Sequence, residues 1–221
     1  MITYQDSYDN ANSIPLRIGV LGSTRGTTMQ PIIDAIEQNA LNAKIVVVIS
    51  NKIDAGILDK AKKHDLISSY VSPNALHGLK KKRKDFDHDV STILQKHNVD
   101  LVLMIGYMRI VSNEFCTLWK NRCMNIHPSL LPDFSKGMDL DVHNAVINSG
   151  KKESGCTVHF VTEDLDEGPI VCQLTCEVKP NDTPHSLKNR VQLLEGQAFI
   201  WAIKKFQNDL FLSNANNYIC N

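Results

Sequence analysis

A chain of 221 residues with 43% hydrophobic content can bury a sizeable core as one α/β domain and is short for two. Lys+Arg and Asp+Glu balance at 24 each, so no bulk charge draws the chain to nucleic acid or an acidic membrane, and an anionic ligand must be held by local groups. The six cysteines (Cys116, Cys123, Cys156, Cys172, Cys176 and Cys220) form no CxxC pair and no zinc-type cluster, which fits free thiols in a reducing compartment and no metal.

Residues 1–16 read as a polar leader without the apolar core of a signal peptide. No apolar run approaches the ~20 residues of a membrane span, so a cytoplasmic protein is expected. The run Arg17–Gly22 then predicts a buried strand, followed by a glycine-rich turn over Gly22–Thr28 and a helix from Met29 with Ile32, Ile33 and Ile36 at helical spacing. Lys44–Ile49 is apolar on both faces, as a central parallel strand should be. A helix over Asp54–His64 and a strand over Leu66–Val71 continue the alternation. The basic run Lys80–Lys84 leads into a helix ending near His97, with Phe86, Val90, Ile93 and Leu94 inward.

Leu101–Ile105 and Cys123–Ile126 predict two more strands. From Gly155 the pattern changes to two strands, Cys156–Val161 and Ile170–Val178, in a hairpin-like antiparallel extension. A last helix is expected over Pro184–Gln207, and residues 213–221 read as a loose tail. The alternation implies a doubly wound, mostly parallel sheet of Rossmann-like kind, in a single domain over residues 17–212.

Three segments carry chemistry. The turn Gly22–Thr28 presents backbone N–H groups at a helix start, where the dipole favours an anion, although a tight strand-to-helix turn explains the same glycines. It has neither the Gly-Lys-Ser/Thr of a nucleotide-triphosphate loop nor the third glycine of a dinucleotide fingerprint. Asn125 and His127 stand two apart at the carboxyl end of a strand and so point to one side, where open α/β sheets bind ligands. Asn can donate to a developing oxyanion and His can pass a proton near neutral pH. Asp166, in Leu165–Pro169, precedes a Gly-Pro turn that could fix one carboxylate beside an imidazole.

These segments, taken with Gly106–Ile110, Asn125–Pro132, Gly155–Val161 and Leu165–Pro169, resemble the folate-dependent formyltransferases, in particular the glycinamide ribonucleotide type, over about Arg17–Phe206. Ser50–Lys52 and Arg190–Gln192 with Glu195 also match. The resemblance implies transfer of a formyl group from 10-formyltetrahydrofolate to the amine of glycinamide ribonucleotide, in purine biosynthesis. It implies a catalytic trio in which Asn125 bonds the formyl oxygen, His127 donates a proton, and Asp166 keeps His127 protonated. It places the ribonucleotide against Gly26, Thr27, Thr28, Gln192 and Glu195. The folate falls against Met108, Arg109, Ile110, Val111 and Asn125, with Arg83 and Arg109 near its glutamate tail. No metal, nucleic acid or membrane partner is implied, and a monomer or homodimer is expected.

The sequence departs from the family pattern at Thr24, Arg25 and Thr28 in the turn, in the longer Phe134–His143 loop, which the resemblance makes a variant of a mobile lid, and at Gly196 and Ile200. Three other readings are weighed. A formyltetrahydrofolate deformylase would be expected to carry an extra N-terminal domain and His-His-Ser after the Asn, against His127-Pro-Ser129 here. A methionyl-tRNA formyltransferase would need a tRNA-binding domain and a basic face. A non-catalytic folate- or nucleotide-binding module is disfavoured by the intact Asn125, His127 and Asp166.

Overall fold

A computed structural model describes residues 14–75, 78–135 and 137–219, with side chains of the last helix described as far as Leu210. Most of the expected leader lies outside the described residues. Each apolar run becomes a strand: β1 (Leu16–Leu21), β2 (Ala43–Ser50), β3 (Ser68–Tyr70), β4 (Leu101–Met104) and β5 (Cys123–His127). They pair in the order β3-β2-β1-β4-β5, all parallel, with Ile18, Val20 and Leu101–Leu103 fully buried. Burial on both faces is what a parallel sheet covered by helices requires.

The direction then reverses. β6 (Glu153–Phe160) pairs antiparallel to β5, and β7 (Ile170–Glu177) pairs antiparallel to β6, which completes a seven-stranded sheet. The expected antiparallel extension is present. It sets β6 beside the residues of β5 that carry the Asn and His, with Asn125 opposite His159 and His127 opposite Thr157.

Helices cover both faces. On one, α1 (Met29–Glu37), α2 (Gly56–Lys63), α5 (Leu140–Asn148) and α6 (Pro184–Ile219) bury Ile32, Ile57, Val146 and Phe199 in one cluster. On the other, α3 (Arg83–Lys96) and α4 (Asn113–Leu118) bury Phe86, Val90, Leu94, Phe115 and Trp119. Ser112 caps α4, its hydroxyl accepting from the N–H of Phe115 at 3.3 Å.

Two elements differ from expectation. The stretch read as a lid is helical from Leu140, because Val142 and Val146, one turn apart, are both buried against the core. The last helix continues past Gln207 to Ile219, since no Gly or Pro follows to stop it.

Candidate functional site

A cleft of about 870 Å³ opens at the carboxyl ends of β1, β4 and β5, where the strand order turns back on itself. At this end of the sheet three loops are tied by one hydroxyl. Ser23 Oγ donates to Asn51 Oδ1 at 2.6 Å and accepts from the N–H of Met108 at 2.9 Å. Gly26 takes φ 65°, and a Cβ there would stand 2.5 Å from the Ile57 side chain, so the turn lies directly on α2. Arg25, Thr27 and Thr28 line the cleft; Gly26 itself is turned into the packing beneath and does not.

Thr28, at the N-cap of α1, makes no side-chain cap bond. Its hydroxyl donates instead to Glu195 Oε2 at 2.6 Å and clamps α1 to α6. Burial pushes the Glu195 carboxyl above its ordinary pKa, although the Thr28 bond and the charge of Lys188 oppose the rise. Gln192 and Lys188 share this wall. Gly196 beside them is explained by packing, since a Cβ there would lie 2.5 Å from the Pro31 ring.

Asn125 and His127 both line the cleft. Asn125 Nδ2 lies 3.3 Å from His159 Nε2, while His159 Nδ1 lies 3.0 Å from the carbonyl of Phe160. A neutral His159 that donates from Nδ1 and accepts at Nε2 satisfies both contacts and fixes which way the Asn125 amide faces. Burial, the largest influence, lowers the His159 pKa in keeping with that neutral ring.

His127 is buried, with Nδ1 at 3.3 Å from Asp166 Oδ2 and Nε2 at 2.9 Å from the carbonyl of Phe134. Both nitrogens face oxygen acceptors, and only a ring carrying two protons donates to both. The second carboxylate oxygen, Asp166 Oδ1, lies 3.7 Å from His159 Nε2. Asp166 adopts φ 60°, rare for a residue with a side chain, in a turn made possible by Gly168. A Cβ on Gly168 would fall 1.8 Å from the carbonyl oxygen of Phe160.

Arg83, Met108, Arg109 and Ile110 form the opposite wall. The Arg109 guanidinium lies 4.0 Å over the Phe86 ring. Val111 is set apart from the main cleft: it is buried, and it faces an adjoining cavity of about 70 Å³ shared with Ile110, Asn125, His159 and Asp166. Sequence reasoning passed over His143, Lys188 and Asp139, which also line the cleft. Lys188 had a signal, one turn before Gln192 on the same helix face; His143 and Asp139 were hidden in the stretch read as a loop.

Among the described residues no group of three or more His, Cys, Asp or Glu could hold a metal ion. No described helix is long and apolar enough to cross a membrane.

The formyl transferase family model matches residues 16–203. A trifunctional purine biosynthetic protein, adenosine-3, from Bos taurus is 38% identical over 92% of this chain and 20% of its own length. The chain thus spans about a fifth of the trifunctional relatives it matches. A phosphoribosylglycinamide formyltransferase from Haemophilus influenzae is 36% identical over 86% of each chain. The crystal structure of glycinamide ribonucleotide transformylase 1 from Symbiobacterium toebii superposes with a TM-score of 0.80, at 38% identity over 87% of each chain.

Proposed function

Because this chain belongs to the formyl transferase family, we propose that it transfers the formyl group of 10-formyltetrahydrofolate to the amine of glycinamide ribonucleotide, a step of purine biosynthesis. The observation that carries the reading is the convergence of Asn125, His127 and Asp166 at one cleft wall. Full-length likeness to the formyltransferase of Haemophilus influenzae supports the choice of substrates.

The residues present suit both molecules. Thr27 and Thr28, on the turn held in shape by Gly26, face the cleft at the start of α1, as a phosphate site requires. Gln192 and Glu195 offer hydrogen bonds to the rest of the ribonucleotide. Met108, Arg109, Ile110 and Asn125 provide the folate wall, backed by Val111 in the adjoining cavity, while Arg83 and Arg109 place cations toward carboxylates of its tail.

The bound folate supplies the activated one-carbon unit. Asn125 donates from Nδ2 to the formyl oxygen as negative charge gathers there, with its amide kept in orientation by His159. The neutral ribonucleotide amine bonds to the formyl carbon and releases a proton to water. His127, having left the Phe134 carbonyl, gives its Nε2 proton to the folate nitrogen as the bond from that nitrogen to the formyl carbon breaks. Asp166 holds the ring through Nδ1, and its negative charge stabilises the positive charge on the protonated ring. No covalent bond to the protein is required. The proposal includes a cytoplasmic setting, a monomer or homodimer, and no metal, nucleic acid or membrane.

Folate absorbance followed with and without glycinamide ribonucleotide tests the assignment. Turnover that depends on the ribonucleotide is expected; equal turnover without it would make the chain a deformylase.

A further inference from the structure

His143, on α5, is 1% exposed, yet it lines the cleft. Its Nδ1 is buried and has no hydrogen-bond partner among the described residues. An orphaned polar atom in a packed wall is costly, and an apolar side chain there would avoid the cost. Four neighbouring polar groups on this wall are engaged, Lys188 with Asp139 and Thr28 with Glu195.

The ring feels the charges of Lys188, Asp139 and His127, so it sits between the proton-transfer centre and the polar wall of α6. Burial first, and Lys188 next, lower its pKa to about 4. It is therefore neutral at physiological pH and offers one hydrogen-bond acceptor and one donor.

Position decides what the ring meets. With the ribonucleotide seated as in the reading above, its phosphate end lies at Thr27 and Thr28 and its amine at Asn125 and His127. Between them run the ribose and then the glycinamide arm, and the part next to the amine, toward the His127 whose charge the ring feels, is the arm's one amide N–H and one carbonyl. We propose that Nδ1 of His143 hydrogen-bonds this amide, which makes His143 a substrate-binding residue that aligns the arm so that its amine meets the formyl carbon. The inference rests on the ribonucleotide reading, and its test separates the two.

Ribonucleotide binding is measured by calorimetry without folate, on wild type, His143→Leu and His143→Asn. Asn places a polar atom close to where Nδ1 stands, whereas Leu has a similar shape with none. Leu should weaken binding about tenfold, the scale of one buried hydrogen bond, and Asn by no more than about threefold. Folate binding should be unchanged in both. Equal affinity in wild type and Leu, or equal loss in Leu and Asn, overturns the assignment. A wild type that binds no ribonucleotide overturns the functional reading as well. Should the Leu variant not fold, nitrogen NMR of wild type decides: the His143 Nδ1 resonance shifts on saturation with ribonucleotide, and a static resonance refutes the bond.

Discussion

Asp166 Oδ2 stands 3.3 Å from Nδ1 of His127, and the carboxylate reaches it from a backbone φ of 60°. The ring is thus held from behind by a group whose own position is set by its turn, while Nε2 faces the Phe134 carbonyl, which it must leave to take part in chemistry. Asp166→Asn keeps the shape and removes the charge. A kcat loss on the order of 10²-fold or more is expected, with near-normal folding. Adding His127→Ala should cost far less than the two single losses multiplied, because the pair acts as a unit. Steady-state kinetics of the four enzymes checks this, and fully multiplicative losses would remove Asp166 from the mechanism.

Arg25 is exposed in the Gly22–Thr28 turn, where the phosphate is proposed to sit, and lines the cleft. A charge there can reach a bound phosphate without touching the reacting atoms. Arg25→Ala should raise the ribonucleotide KM about threefold to tenfold, with kcat and folate KM nearly unchanged, the mark of binding lost equally in ground and transition states. An unaltered KM would mean that the guanidinium points to solvent.

Glu195 is buried at a cost to stability. Its pKa is raised by burial above the ordinary value of 4.5, so the protonated form is the one the fold prefers. The penalty is absent below about pH 4.5 and grows as pH rises through the folded pKa. Glu195→Gln should raise the Tm of the unliganded protein at pH 7 by roughly 2–4 °C, the effect of about 1 kcal/mol in a domain of this size. No rise is expected at pH 4, and ribonucleotide affinity should fall. A thermal melt in which the variant is no more stable than wild type at pH 7 would contradict the sign.

Asp182 has the opposite sense. Arg190 donates to both of its carboxylate oxygens, at 2.6 and 2.8 Å, with Ser186 Oγ and the N–H of Lys179 adding two more bonds. The Arg190 bonds, chiefly, hold its pKa well below 3.8. That stabilisation is complete above about pH 3.8 and is lost as pH falls through the depressed folded value. Asp182→Asn should therefore melt lower than wild type at pH 7, with the gap closing in acid. A gap independent of pH would point to lost packing instead.

The parallel half of the sheet was legible because burial on both faces forces unbroken apolar runs, as in Lys44–Ile49 and Leu101–Ile105. Asn125 and His127 were legible for another reason: spacing on a strand fixes direction, so two residues apart meant one face. The short helices were not. α4 spans only six residues, too few to show a period, and α5 begins behind Gly137 and Asp139, which read as loop. With α5 went His143, whose importance lies in an unmet bond, and no local pattern records what a side chain fails to touch. The link from Thr28 to Glu195 joins the two ends of the domain and exists only once the chain has closed on itself.

Gly168 touches no substrate in the proposed mechanism and carries no functional group. Yet Phe160 leaves it no room for even a methyl, and the turn that aims Asp166 depends on it. A saturation screen scored by activity would rank this position beside the acid it supports, and would do so for lack of space. Mutational sensitivity around this cleft is thus a poor guide to which atoms take part in the reaction. A chemist repurposing the pocket could exchange Arg25 or Gln192 at a cost in binding alone, and would find the scaffold's tightest restriction in the residue that offers nothing to react.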